Sequence, residues 1–431
     1  MFVLVIIPSV KTLLRYPFIL ALVITQFILL TTSSARAGTL PEQAAMVSDE
    51  VMFDYFSWTI DAAWQKVQFS ALGMPEYLTH EQQKMAVYDY IKVTRDIESA
   101  ESELERIYSD PSIQDKDTAT EELRNTLEDV TRAQKKLAPI AETVVQSQVA
   151  AVVTDIGLTT GGQPIPAVLY HVSPLPLALI ISPRDSILQE GNISLLPDLT
   201  VEQRDFLEDK VDEQLDVSSL IVPVGGIGAY PTMVMRTSDL RWMAEVVSHE
   251  WIHNFLTLRP LGIRYDTTPE MRTMNETTAS IAGKEIGMQV IESYYPELLS
   301  REPSAQGLVS QKSQPVGPGG FRQPFDFREE MHETRVTVDQ FLSEGKILEA
   351  ENYMETRRQF FWDNGYPMRK LNQAYFAFYG AYADVPGGPA GEDPVGPAVR
   401  ALREKSPSLS DFLYQISRMT SFEDLLAATG N

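Results

Sequence analysis

Residues 238–262, SDLRWMAEVVSHEWIHNFLTLRPLG, decide how the rest of the chain is read. Ser238 or Asp239 can cap a helix running to about Leu258, ahead of the stop made by Pro260 and Gly262. Within it His249 and His253 stand four residues apart, so they leave one helical face a single turn apart. Two imidazole nitrogens so placed can share one zinc ion, each at about 2.0–2.1 Å. Glu250 points beside such an ion instead of at it, where a general base takes a proton from metal-activated water. The neighbours Val246, Val247, Trp251, Ile252 and Phe255 are apolar, as the buried back of such a helix requires, because a charge there would have to be desolvated. The chain has five histidines, and two of them fall in this spacing.

His249-Glu250-Trp251-Ile252-His253 resembles the HExxH signature of the zincin metallopeptidases. The metzincin branch would need a glycine three residues and a histidine six residues beyond the second ligand. Leu256 and Arg259 occupy those places and exclude it. Gluzincins take a glutamate from the next helix, often within Asn-Glu-x-x-Ala, and Asn275-Glu276-Thr277-Thr278-Ala279 is similar to that form. The resemblance covers about residues 220–290. It implies zinc held by His249, His253 and Glu276, Glu250 as general base, and a peptide or protein substrate.

Other acids compete for the third ligand position. Glu285, nine residues on, falls on the opposite helical face; Glu270 sits beside Pro269; Asp266 could serve as it does in aspartate-zincins. Ser280 stands one turn after Glu276, where thermolysin-like enzymes carry an aspartate, and is a candidate partner for the ligands. The resemblance further implies a strand edge beside the site, and Gly225–Met235 is in place for it, with glycines that allow close backbone approach. It also implies an oxyanion donor from the downstream helices. Asn372, Tyr375 and Tyr379 share a face by their spacing, which makes Tyr375 the leading donor and His332, in MHETR, its rival.

The remaining chain fixes the setting. At 431 residues with 44% hydrophobic and 22% charged residues it is globular in composition. Lys11 and Arg15, the uncharged run Pro17–Leu30 and Ala35-Arg36-Ala37 have the order of a secretory signal, so residues 1–37 read as a cleaved leader or a retained membrane anchor. Either places the protein outside the cytoplasm. The net charge of −23 repels phosphate backbones and argues against nucleic-acid binding. There is no cysteine, so a metal must be held by His, Asp or Glu.

Residues 81–150 predict two long helices with apolar stripes, turned at Ser109-Asp110-Pro111 and kinked at Pro139: an antiparallel hairpin suited to self-association. Gly161-Gly162 is expected to end the second arm. Strands are expected at 167–172, 177–181, 193–196, 220–224 and 229–235, with a helix over 201–214 and a turn at Gly225–Gly228. Residues 302–327 and 384–397 read as Pro/Gly-rich loops. The fold class is therefore α+β and mostly helical: a long antiparallel helical hairpin, a small mixed β-sheet, a zincin-like metal helix and a helical C-terminal lobe. The divisions fall at 1–37, 38–160 (N-terminal helices with the hairpin), 161–300 (zincin-like core) and 301–431. The functional expectation is an exported zinc metallopeptidase; the alternative is a noncatalytic exported scaffold or binding protein with a structural or vestigial HExxH.

Overall fold

In the computed structural model, residues 38–70, 77–109, 113, 115–299, 325–382 and 388–430 are described. The expected leader or anchor, the Asp110-Pro111 turn and most of the 302–327 loop lie outside them. Helices α1 (Leu40–Ser48) and α2 (Tyr55–Ser70) precede the hairpin of α3 (His80–Ser109) and α4 (Lys116–Asp155). The apolar stripes close this hairpin: Ile97, Ala100 and Ile107 of α3 and Ala141 and Val144 of α4 are buried. Gln134, the polar break in the second stripe, donates across the hairpin to Thr94 Oγ1 at 2.8 Å, which satisfies a buried hydroxyl. Helix α4 continues through Pro139. It ends at Asp155 and not at Gly161-Gly162. Gly157, at φ 85°, lets Leu158 N–H reach the carbonyl of Val153 at 3.0 Å, a left-handed helix stop. Among the described residues α4 is the one helix long and apolar enough to cross a membrane, and half of that window is buried inside the protein.

The strands are β1 (Tyr170–Val172), β2 (Leu177–Pro183), β3 (Gly191–Leu195) and, after helix α5 (Val201–Leu215), β4 (Val217–Pro223), β5 (Gly226–Ile227) and β6 (Thr232–Val234). They make two small sheets, an antiparallel β3-β2-β4 and a mixed β1-β6-β5. In the mixed sheet β6 pairs parallel with β1 and antiparallel with β5. The segment expected as a glycine turn thus contains a strand, and the expected final strand shortens to β6. Strand β2 is apolar without alternation from Leu177 to Ile181 because both its faces are covered. Leu179 and Ile181 pack with Ala44 of α1 and Val211 of α5, while Ala178 and Ile180 pack with Ala374 of the C-terminal part.

The rest is helical: α6 (Leu240–Thr257), α7 (Pro260–Ile263), α8 (Pro269–Tyr294), α9 (Phe327–Ser343), α10 (Ile347–Asp363), α11 (Gln373–Tyr379), α12 (Val395–Lys405), α13 (Leu409–Ile416) and α14 (Phe422–Thr429). Helix α12 starts inside the stretch expected as a loop. Pro397 falls in its first turn, where a missing N–H costs nothing. The largest core joins Val144 and Val149 of α4, Trp251 and Phe255 of α6, Ile286 of α8 and Phe412 of α13. Trp251 also donates its indole N–H to the Pro166 carbonyl at 2.9 Å. The back of α6 is therefore fixed, and the histidine face is the one left for the cleft.

Candidate functional site

Asp239 caps α6 by accepting from the backbone N–H of Arg241 and Trp242, as the sequence suggested. One to two turns before its end, His249 and His253 project side by side, their Nε2 atoms 3.0 Å apart. Glu276 reaches them from α8: its Oε2 lies 3.7 Å from His249 Nε2 and 3.5 Å from His253 Nε2. A tetrahedral site with bonds of about 2.05 Å has ligand–ligand edges of roughly 3.3 Å, and these three edges bracket that value. Among the described residues this is the one group of three metal-ligating side chains found so close together. Glu276 Oε2 is buried and has no hydrogen-bond donor of its own, which is a costly arrangement for a carboxylate unless a cation completes it.

The two helices approach closely because α8 carries glycines where it crosses α6. A Cβ on Gly283 would stand 2.9 Å from His249 Cα, and one on Gly287 would stand 2.8 Å from Glu245 Cα. Neighbouring groups then orient the ligands. Asn275 Oδ1 lies 2.8 Å from His253 Nδ1, and its amide nitrogen faces the Leu261 carbonyl. That assigns a proton to Nδ1 and turns Nε2 toward Glu276. Tyr265 donates its hydroxyl proton to Glu276 Oε1.

Burial alone would raise the Glu276 carboxyl, but the His253 and His249 rings hold it well below the ordinary range. Burial opposes a charged His253, yet Glu276 beside it raises that ring to about 9. Glu250 is also buried, and this desolvation raises its carboxyl against the opposing pull of the two histidines. It rests against the β5 segment. A Cβ on Gly226 would come within 2.6 Å of Glu250 Oε1, and one on Gly228 within 3.2 Å of His253 Cβ. A side chain at either glycine would displace Glu250 or His253, and β5 is the outer strand of its sheet beside the histidine helix.

Comparison with protein-family models, curated proteins and solved structures finds no match to this chain.

The competing ligands are placed elsewhere. Glu285 is held by a two-pronged ion pair with Arg403 at 2.8 Å for both bonds, and Asp266 lies 3.6 Å from Arg272. Glu270 is exposed in the first turn of α8. Ser280 is buried but makes no side-chain hydrogen bond to the histidines or to Glu276; Asn275 and Tyr265 do that work.

The site lies in a cleft of about 1970 Å³. Tyr375 lines it but packs on Tyr379, at 4.6 Å between ring centres, and burial is the main influence on its hydroxyl, raised beyond its ordinary range. His332 stands away from the cleft, 3.8 Å from Glu392. Tyr382 lines the cleft as well and is more open than Tyr375, 39% exposed. Desolvation first, then the charges of Glu276 and Glu250, hold its hydroxyl well above the ordinary range. Extending the Tyr375–Tyr379 stripe by one more step reaches Tyr382, so a signal for it existed. Asn275 was visible beside Glu276, whereas Tyr265, in the loop between α7 and α8, left no periodic trace.

Proposed function

We propose that this chain is an exported zinc-dependent metallopeptidase in which His249, His253 and Glu276 hold the ion. The observation that carries the reading is the buried, donor-less Glu276 Oε2 facing two imidazole nitrogens, with the Glu250 carboxyl buried alongside. Zinc in such a three-ligand site supplies Lewis acidity toward a peptide carbonyl and acidifies water. Glu250, desolvated and so more basic than a surface carboxylate, takes the proton from water and passes it to the leaving amine. Tyr382 is the preferred donor to the carbonyl oxygen as charge develops there, ahead of Tyr375, because it lines the cleft with an exposed side chain, whereas Tyr375 is half-buried against Tyr379. The free edge of β5 offers backbone groups to an extended peptide.

A digest of a peptide library with and without chelator tests this directly. Hydrolysis should require metal, and Glu250→Gln should keep the metal while losing about 10²–10⁴-fold in rate. Full activity in Glu250→Gln would remove Glu250 from the mechanism. Metal-dependent turnover without peptide cleavage would move the substrate class.

A further inference from the structure

The cleft inverts the charge of the protein that surrounds it. The chain has 59 acidic and 36 basic residues, yet Arg204, Arg272, Lys284, Arg328, Arg369 and Lys370 all line the cleft. Some of these charges are already matched. Arg369 binds Glu208, and Lys370 lies within 3.5 Å of Glu208, Asp209 and Asp212. Arg272 is different. It is only 8% exposed, and its Nε is buried with no acceptor. One Nη donates to the Gln189 carbonyl at 2.9 Å, and the nearest carboxylate, Asp266, is 3.6 Å away on a side chain that is 78% exposed. The guanidinium also lies 5.8 Å from the centre of the Tyr265 ring. A buried guanidinium with an unused donor is expensive unless an acceptor arrives, and a carboxylate fits its planar fork.

Position gives this donor a purpose. Arg272 precedes Glu276 by four residues on α8, so it leaves the same face about 6 Å along the helix. That distance is roughly the span of two residues of extended peptide. Arg204, whose Nε donates to the Leu199 carbonyl at 3.0 Å, and Arg328 extend the positive lining.

We infer that Arg272 determines specificity by binding a substrate carboxylate, within the peptidase reading above. The substrate is a peptide carrying that carboxylate within one or two residues of the scissile bond. An acidic side chain and a free C-terminal carboxylate present the same chemistry, and the test separates them. Three peptides of one sequence are compared: a neutral peptide with an amidated C-terminus, the same peptide with a free C-terminus, and an amidated one with a single glutamate.

Cleavage is measured in the zinc-loaded wild type, and binding by calorimetry in Glu250→Gln, which needs no turnover. A charge-assisted pair predicts a preference of about 10- to 100-fold for one or both carboxylate peptides. The peptide that gains identifies the source. Arg272→Lys should keep part of the preference and Arg272→Gln should abolish it, with zinc content and melting temperature confirming that each variant is folded. Cleavage or binding that ignores the carboxylate in the wild type overturns the inference and leaves the peptidase reading standing. Carboxylate-selective binding with no cleavage of any peptide does the reverse.

Discussion

Gly283→Ala is the substitution whose effect the structure fixes most closely. The added methyl would lie 2.9 Å from both Cα and Cβ of His249 and 3.0 Å from its backbone nitrogen. Carbon contacts relax at about 3.5–4.0 Å, so α6 and α8 must separate by roughly 0.5–1 Å. Glu276 rides on the same helix as Gly283 and moves with it, away from both imidazoles. Metal sites tolerate deviations of only about 0.2 Å in ligand distance. Overpacking costs about 1–3 kcal/mol, and borne by the metal-loaded geometry this becomes roughly 5- to 150-fold in zinc affinity.

Gly287→Ala is the control. It strains the same helix pair against Glu245 and is one turn further from the ligands. Both variants should lower the melting temperature of the zinc-free protein, and Gly283→Ala alone should lose zinc strongly in competition with a chelator of known affinity. Wild-type affinity in Gly283→Ala, or equal losses in the two variants, would refute the idea that this crossing sets the ligand spacing.

Asn275→Ala removes the acceptor from His253 Nδ1 and should weaken zinc about 10- to 100-fold without abolishing saturation, as read by the same chelator titration. Tyr382→Phe should lower kcat about 10²–10³-fold with zinc retained, whereas Tyr375→Phe should change it little; steady-state kinetics on one peptide would reverse the assignment if the order were opposite. Burial, reinforced by Glu208 and opposed by Ser219 and Lys370, raises Asp212 to about 6. The folded state thus binds this proton more tightly than the unfolded chain, and the stability it confers is full below about pH 4 and lost as pH rises toward 6. Asp212→Asn should remove that slope and stabilise the protein at pH 7 by about 1–3 kcal/mol in denaturant unfolding; an unchanged pH profile would show that Asp212 titrates normally.

The sequence was most legible where local periodicity carries the information. The spacing of His249 and His253, the apolar back of α6 and the position of Glu276 on its own helix follow from a repeat of 3.6 residues, and the structure brings all three together. The hairpin stripes were readable for the same reason, including the polar break at Gln134, whose partner Thr94 lies on the other arm. What escaped depends on pairing between distant segments. Strand β5 is two residues long and has no pattern of its own; Gly226-Ile227 is a strand because Val234 and Met233 pair with it. Two sheets form, and not one, because β2 pairs with β3 and β4 while β6 pairs with β1 and β5. Tyr265 and Arg272 come to the site through a loop and a helix start, where side-chain direction is set by tertiary contacts. The Val395 helix start hid behind Pro394 and Pro397, residues that break a helix in its interior and are tolerated in its first turn.

Elemental analysis of the full chain, purified without added metal, asks whether His249, His253 and Glu276 hold a cation. About one zinc per chain is expected, reduced to background in Glu276→Ala while that variant still unfolds cooperatively. A wild-type protein that contains no zinc and takes none up on titration would contradict that assignment.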